Sequence, residues 1–377
     1  MREVHHETPL AKKLKERIRR DGPITVCEYI QACLHDEEHG YYRKKPAIGA
    51  EGDFITAPEI SQIFGELIGI WCAVAWRAMR APMQVELIEL GPGRGTLIRD
   101  AWRAARVVPG FLDAVRLHLV ESNAVLRESQ REALGDLRPP ITWHADLACA
   151  FTDGEQFREG PAVVIANEFL DVWPVEQVVF ADGEWYRRGV GLNAQGEFVF
   201  VRGSPVANDA SSPAPPSPTE GDVFEHRPGL RDVASILAQK SRRGPMAALF
   251  LDYGHQRTAI GETLQAARAH RYVSPLESPG ESDLTAHVDF EAFSSHCRRE
   301  GLAVDGPITQ SEFLLKMGLV ERAEKLMASA PSDQIGFLEA GARRIADPMG
   351  MGGLFKVVCA RSKNVPLLPP FPPSPPA

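Results

Sequence analysis

The stretch 87-LIELGPGRGTLIRD-100 decides the fold. Leu87, Ile88 and Leu90 read as a buried strand, Gly91 to Gly95 as a tight turn, and Thr96 to Ala105 as a helix. Glycines in such a turn adopt positive φ without a Cβ penalty and let the backbone approach a ligand. The helix that follows presents free N–H groups at its start. Outward from this unit, "VRLHLVE" (115–121) leads to a helix near Asn123–Leu134, and the strands "ITWHA" and "AVVIANE" (162–168) follow. Strands alternating with helices predict an α/β fold with a mostly parallel sheet covered on both faces.

Residues 1–80 read as an N-terminal helical segment, with Leu10, Leu14 and Ile18 at helical spacing. Thr56 and Glu59 make a capping box ahead of a long helix from Ala57, whose apolar face is Ile60, Ile63, Phe64, Leu67, Ile68 and Trp71. The α/β core is expected over 81–362, interrupted by an insertion at about 174–228. There "VEQVVFADGEWYRRGVGLNAQGEFVFVRG" alternates with period two and carries Asp-Gly and Gln-Gly turn pairs, which predicts an antiparallel meander. Within the insertion, the Pro/Ser/Ala-rich 203–222 reads as a flexible loop. The α/β rhythm returns with a helix near 229–242, "MAALFLDYG", "GLAVDG", the helix "TQSEFLLKMG" and the strand "LFKVVCA". The proline-rich tail 363–377 reads as disordered. Trp71, Trp76 and Trp102 are expected in the core.

The chain has 377 residues, 44% hydrophobic and 24% charged, with a formal net charge of −8. That balance gives no broad footprint for a polyanion, so nucleic acid is not expected as a partner. Six cysteines stand far apart with no C-x-x-C pair, as in a reduced protein without a metal site. No apolar run reaches the roughly 18 residues of a membrane span. The start has no apolar signal region, and a cytoplasmic location is expected.

In doubly wound sheets ligands bind beyond the carboxyl ends of the strands. Two ligand classes compete for the glycine turn. A dinucleotide asks for G-x-G-x-x-G, but here Gly91, Gly93 and Gly95 are followed by Thr96. S-adenosylmethionine has no phosphate and carries an ammonium and a sulfonium, which favours carboxylates near the turn. Glu89 stands two residues before Gly91, giving E-x-G-x-G-x-G with Pro92 inside the turn. Glu121, followed by Ser122, ends the second strand and suits the ribose hydroxyls of either ligand. Asp146, with Leu147, follows the third strand and suits the adenine amino group. A nicotinamide-dependent oxidoreductase is the competing reading.

The chain resembles the MidA-like class I methyltransferases, which include the mitochondrial complex I assembly protein arginine methyltransferases. The likeness rests on "GDFITAPEISQIFGELIG", "ELGPGRGTL", "LVESN", "ANEFLDVWPV", "LDYGH", "DLTAHVDF", "TQSEFLLKMGL" and "DPMGMGGLFKVV", spread over about residues 8–360. It implies a Rossmann-like class I methyltransferase core, S-adenosyl-L-methionine as cofactor and methylation of a protein arginine, symmetrically in the family's pattern. A complex I subunit would be the partner and the mitochondrial matrix the compartment of a eukaryotic member; a homodimer is allowed. An arginine nucleophile has to be held and relieved of a proton, work suited to paired carboxylates. In "NEFLDVWP" (167–174), Glu168 and Asp171 are those candidates, beside Asn167. Asp53, Thr56, Asp252, His255 and His287 are candidates for the substrate side. A non-catalytic assembly factor with the same fold is the reading from another class.

Overall fold

Val85–Leu90 is buried at all six positions, as a strand with parallel neighbours on both sides has to be. The computed structural model describes residues 7–44, 55–137, 140–152, 159–206, 217–268 and 271–373. These divide into two compact units, each described by itself.

The larger unit comprises Ile55–Phe169, Arg231–Gln256 and Phe293–Ala377. Its sheet runs, from edge to edge, Ala303–Thr309, Phe355–Arg361, Met246–His255, Ala162–Asn167, Val85–Leu90, Val115–Val120 and Ile141–His144. Six of these strands run in one direction, and Phe355–Arg361 alone among the seven runs antiparallel, to both its neighbours. The register aligns Leu90 with Val120 and Ala166, and Val120 with His144. Gly91, Glu121 and Asn167 therefore leave the sheet side by side along its carboxyl rim. Between strands, helix Gln62–Ala78 lies so close to helix Thr96–Ala105 that a Cβ on Gly69 would stand 2.3 Å from the Ala101 carbonyl oxygen. This contact fixes the helix that starts at the glycine turn. Trp71, Trp76 and Trp102 lie in this core, as expected.

Two expectations for this unit need correction. The helix from Ala57 is not continuous: Ala57–Ile60 ends at Ser61, whose φ of −151° and ψ of 124° are extended, and Gln62–Ala78 begins anew. The tail is not loose up to Pro373. Val365, Leu368 and Phe371 are buried in the core, Phe371 beside Phe313, and the Trp71 indole donates to the Pro369 carbonyl at 3.0 Å. Residues 374–377 lie outside the described residues.

The smaller unit comprises Met1–Phe54, Leu170–Leu230 and Arg257–Ala292. Helices Pro9–Asp21 and Val26–His35 pack their apolar faces with Val175, Val190, Leu264, Ala266, Leu284 and Ala286. The N-terminal 80 residues thus form no single segment: 7–44 fold into this unit and 62–78 into the other. They are not purely helical either, since Ile24–Thr25 pairs with the meander at Gly189–Val190. The meander itself is as expected. Glu176–Ala181 and Glu184–Leu192 join through Asp182 and Gly183, whose φ of 51° and 82° fit a two-residue primed turn. Strand Phe198–Pro205 occupies the first positions of the predicted loop, and 207–216 lie outside the described residues.

Candidate cofactor and methyl-transfer site

Gly91, Gly93 and Gly95 all have positive φ (63°, 54° and 82°), so the turn requires glycine at each. Helix Ala124–Leu134 supports it from beneath. Gln130, fully buried, donates to the Gly93 carbonyl at 2.7 Å and accepts from the Trp143 indole at 2.9 Å. One turn on, a Cβ on Gly95 would press on Leu134 Cδ1 at 2.9 Å. Sequence reasoning missed Gln130 and Leu134. Their spacing of four on a helix is the signal that could have found them.

Around the turn stand three carboxylates in three different states. Glu89 is 3% exposed, its Oε2 has no hydrogen-bond partner among the described residues, and burial pushes its carboxyl up to about 8. A buried acid left in this way suits a ligand that brings its own cation. Glu121 is also raised by burial, although its Oε1 accepts the Asn123 N–H at 2.7 Å and the Ser122 N–H lies against it. Asp146 is exposed and held low, chiefly because it accepts the Cys149 N–H at 2.7 Å. It caps the helix that starts at Leu147, itself buried. Pro92 is buried inside the turn.

Glu59 distinguishes the two ligand classes. The expected capping box does not form, for Thr56 occupies the cap position without a side-chain bond to the helix. Glu59 instead accepts the hydroxyl of Thr96, the first residue of the helix after the glycine turn, and lies 4.0 Å from Arg94. In a dinucleotide site that helix start is where the pyrophosphate rests. A carboxylate bonded there repels phosphate and is compatible with a sulfonium ligand. The side chains present therefore fit S-adenosylmethionine, with Glu89, Gly91–Gly95, Glu121, Asp146 and Leu147 as the residues that would hold it.

Beside the turn, the Ala162–Asn167 strand ends in a strained corner. Glu168 has φ of +52°, a left-handed conformation that a non-glycine residue adopts only when its surroundings impose it. Two bonds impose it: Glu168 N–H donates to the Leu251 carbonyl at 2.9 Å, and Phe169 N–H donates to Asp252 Oδ2 at 3.1 Å. Asp252, 1% exposed, also accepts the Tyr253 N–H at 2.9 Å. It is thus a support for the corner, where the sequence suggested a substrate contact. Asn167 donates from Nδ2 to Glu168 Oε1 at 3.1 Å, and its Oδ1 is buried without a partner among the described residues. Phe169 closes the corner against the turn, 3.5 Å from where a Cβ on Gly91 would stand. His255, half-buried, ends the neighbouring strand.

Asp171 and His287 lie in the smaller unit. Asp171 is buried and accepts the Thr285 hydroxyl at 3.3 Å. His287 donates its N–H to Thr263 Oγ1 at 2.9 Å. Asp53 lies outside the described residues. Among the described residues no cluster of metal-ligating side chains and no helix long and apolar enough to cross a membrane is present.

Known proteins agree with this geometry. The protein arginine methyltransferase NDUFAF7 homolog, mitochondrial, of Drosophila melanogaster is 33% identical over 380 residues, 92% of this chain and 83% of the relative. Its Homo sapiens counterpart is 33% identical over 378 residues, 92% of this chain and 82% of the relative. A solved structure from Burkholderia thailandensis, bound to S-adenosyl-homocysteine, superposes with a TM-score of 0.81 at 27% identity, covering 95% of this chain and 93% of that one. Residues 67–308 match the family described as "Putative S-adenosyl-L-methionine-dependent methyltransferase". With the glycine turn, the unpartnered Glu89 and the carboxylate at the helix start all arguing for that cofactor, the chain belongs to this S-adenosyl-L-methionine-dependent methyltransferase family.

Proposed function

We propose that this protein methylates guanidino nitrogens of a protein arginine, one on each terminal nitrogen. The observation that carries the reading is the Asn167–Glu168 corner, a carboxylate and a partnerless amide oxygen held together at the rim beside the glycine turn. Bound in the turn, S-adenosylmethionine supplies a methyl group on a sulfonium, whose leaving group departs without protonation. The protein's task is then to position the nucleophile and accept its proton. Glu168 receives the N–H donors of a planar guanidinium and takes the proton released as the nitrogen is alkylated. Asn167 Oδ1 accepts a further N–H. Asp171 and His287 of the smaller unit, and His255 and Thr56 of the larger, are the further candidates for contact with the polypeptide substrate. The names of the curated relatives support the arginine assignment. A complex I subunit is the first substrate to test, and the mitochondrial matrix or the cytoplasm the compartment.

The test is methyl transfer from labelled cofactor to lysate proteins, followed by mass spectrometry of the modified residue. The expected product carries methyl groups on arginine. Glu168→Gln is expected to lower turnover by about a hundredfold or more, with cofactor affinity held within a few fold. Methylation confined to lysine, glutamine or RNA would contradict the arginine assignment, as full activity in Glu168→Gln would contradict that residue's role. No transfer to any protein with intact cofactor binding would support an assembly factor instead.

A further inference from the structure

One cation of the smaller unit is nearly enclosed. Arg227, 6% exposed, follows strand Val223–His226 and turns its guanidinium inward. Nε donates to the Trp173 carbonyl at 2.7 Å and Nη1 to the His287 carbonyl at 3.4 Å. Nη2 donates to the Asp171 carbonyl at 3.2 Å and to that of Ala286 at 2.9 Å. A single side chain thus ties together two stretches more than a hundred residues apart in sequence. One is the segment after the strained corner, and the other holds "TAH" of the "DLTAHVDF" motif.

The surroundings reinforce the same joint. Thr285 donates to Asp171 Oδ2, linking the two stretches directly. The Trp173 ring lies against the backbone two residues beyond Arg227, where a Cβ on Gly229 would stand 2.2 Å from Cε3. Thr263, which accepts the His287 N–H, is itself bonded through its hydroxyl to Glu225. Arg227 thus holds the carbonyls of both Asp171 and His287, and each has a second bond, Asp171 through its carboxylate and His287 through its N–H.

We infer that Arg227 is a positioning residue for the methyl-transfer reaction: its guanidinium sets the backbone of Asp171 and His287, and so the aim of the two side chains proposed to meet the substrate. The inference rests on the substrate-side roles proposed above. The choice of arginine follows from geometry, because a planar fork of five donors reaches four carbonyls approaching from different directions. A lysine ammonium concentrates its donors at one point and cannot span them. Displacements on the order of 1 Å at a reacting group cost about a hundredfold in rate, so the clamp governs turnover without touching the substrate.

The test uses the full chain with Arg227→Lys and Arg227→Ala. Calorimetric titration with S-adenosyl-homocysteine is expected to give affinities within about threefold of the parent, because the cofactor residues belong to the other unit's own framework. Turnover is expected to fall about a hundredfold in both variants, in kcat more than in KM. Guanidinium chloride at low, non-denaturing concentration should restore activity to Arg227→Ala and leave Arg227→Lys unrescued. Hydrogen exchange should be faster over 171–173 and 285–287 in Arg227→Ala, and slowed again by guanidinium. If the parent transfers no methyl group, the proposed reaction fails while the exchange arm still decides the clamp. Parent-like exchange and turnover in Arg227→Ala overturn it, and so does exchange raised throughout the chain with loss of cofactor binding in both variants. Should Arg227→Ala not fold, a folded Arg227→Lys with parent-like turnover overturns it equally.

Discussion

The two units differ in how their residues find one another. In the larger unit, consecutive strands stand side by side at Val85–Leu90, Val115–Val120 and Ile141–His144, each joined to the next through a helix. The smaller unit is assembled from three stretches, Met1–Phe54, Leu170–Leu230 and Arg257–Ala292. Its joints span long separations, as between Tyr29 and the Pro275 carbonyl at 3.0 Å. The difference teaches where function can be read early. The residues proposed to hold the cofactor sit at the ends of a local, repeating pattern. Asp171 and His287, proposed for the substrate side, sit where long-range bonds bring separate stretches together, and no local pattern announces those bonds.

The comparison can be broken in either unit. The largest structural effect is expected in the larger one, where the last stretch of chain belongs to the core. Phe371, 5% exposed, packs near Phe313 and under Gly306, where a Cβ would lie 3.1 Å from Phe371 Cε1. Phe371→Ala is expected to cost about 3 kcal/mol, read as a lowered urea midpoint at constant slope. An unchanged midpoint would return the tail to the loose state that its prolines suggest.

A smaller effect is expected in the other unit. Thr8 caps helix Pro9–Asp21 by accepting the Ala11 N–H at 3.0 Å, and its hydroxyl donates to the Pro279 carbonyl at 2.8 Å. Thr8→Ala is expected to cost about 1–2 kcal/mol and to speed hydrogen exchange near residue 279 as well as near residue 11. If exchange changes only near residue 11, the N-terminal helices form a segment of their own and the three-stretch unit is wrong.

How much of this was legible follows from the same contrast. The strand-turn-helix at 85–105, the strand ends carrying Glu121 and Asp146, and the Asp182–Gly183 turn were all readable, because each is decided by residues within a few positions. Glu59 was misread, since the local partner Thr56 satisfies a capping pattern while the actual partner, Thr96, is 37 positions away. Gln130 was missed for the same reason, its partners being the Gly93 carbonyl and Trp143, although its helical spacing with Leu134 placed it on the face below the turn. The tail misled because Val365, Leu368 and Phe371 recur every third residue among prolines, a period that neither a helix nor a strand pattern scores. Asp252 stood at the right rim but acts on the backbone of Phe169, a role that residue type alone does not disclose. The strain at Glu168 left no mark in the sequence either, since a glutamate at positive φ follows from the bonds around it.

The glycine turn is proposed to hold a cationic, phosphate-free nucleoside whose charge is met by Glu89. Burial raises this carboxyl to about 8 from an ordinary 4.5, so at neutral pH it keeps its proton until a cation arrives. Titration with S-adenosyl-homocysteine, which bears the ammonium, in two buffers of different ionisation enthalpy is the direct measurement. The predicted result is binding with a proton released at pH about 7, so that the observed heat depends on the buffer. Affinity should rise with pH up to about 8, by at most about tenfold per unit, and Glu89→Gln should abolish both dependences. No binding, or binding whose heat is the same in both buffers and in Glu89→Gln, would contradict it.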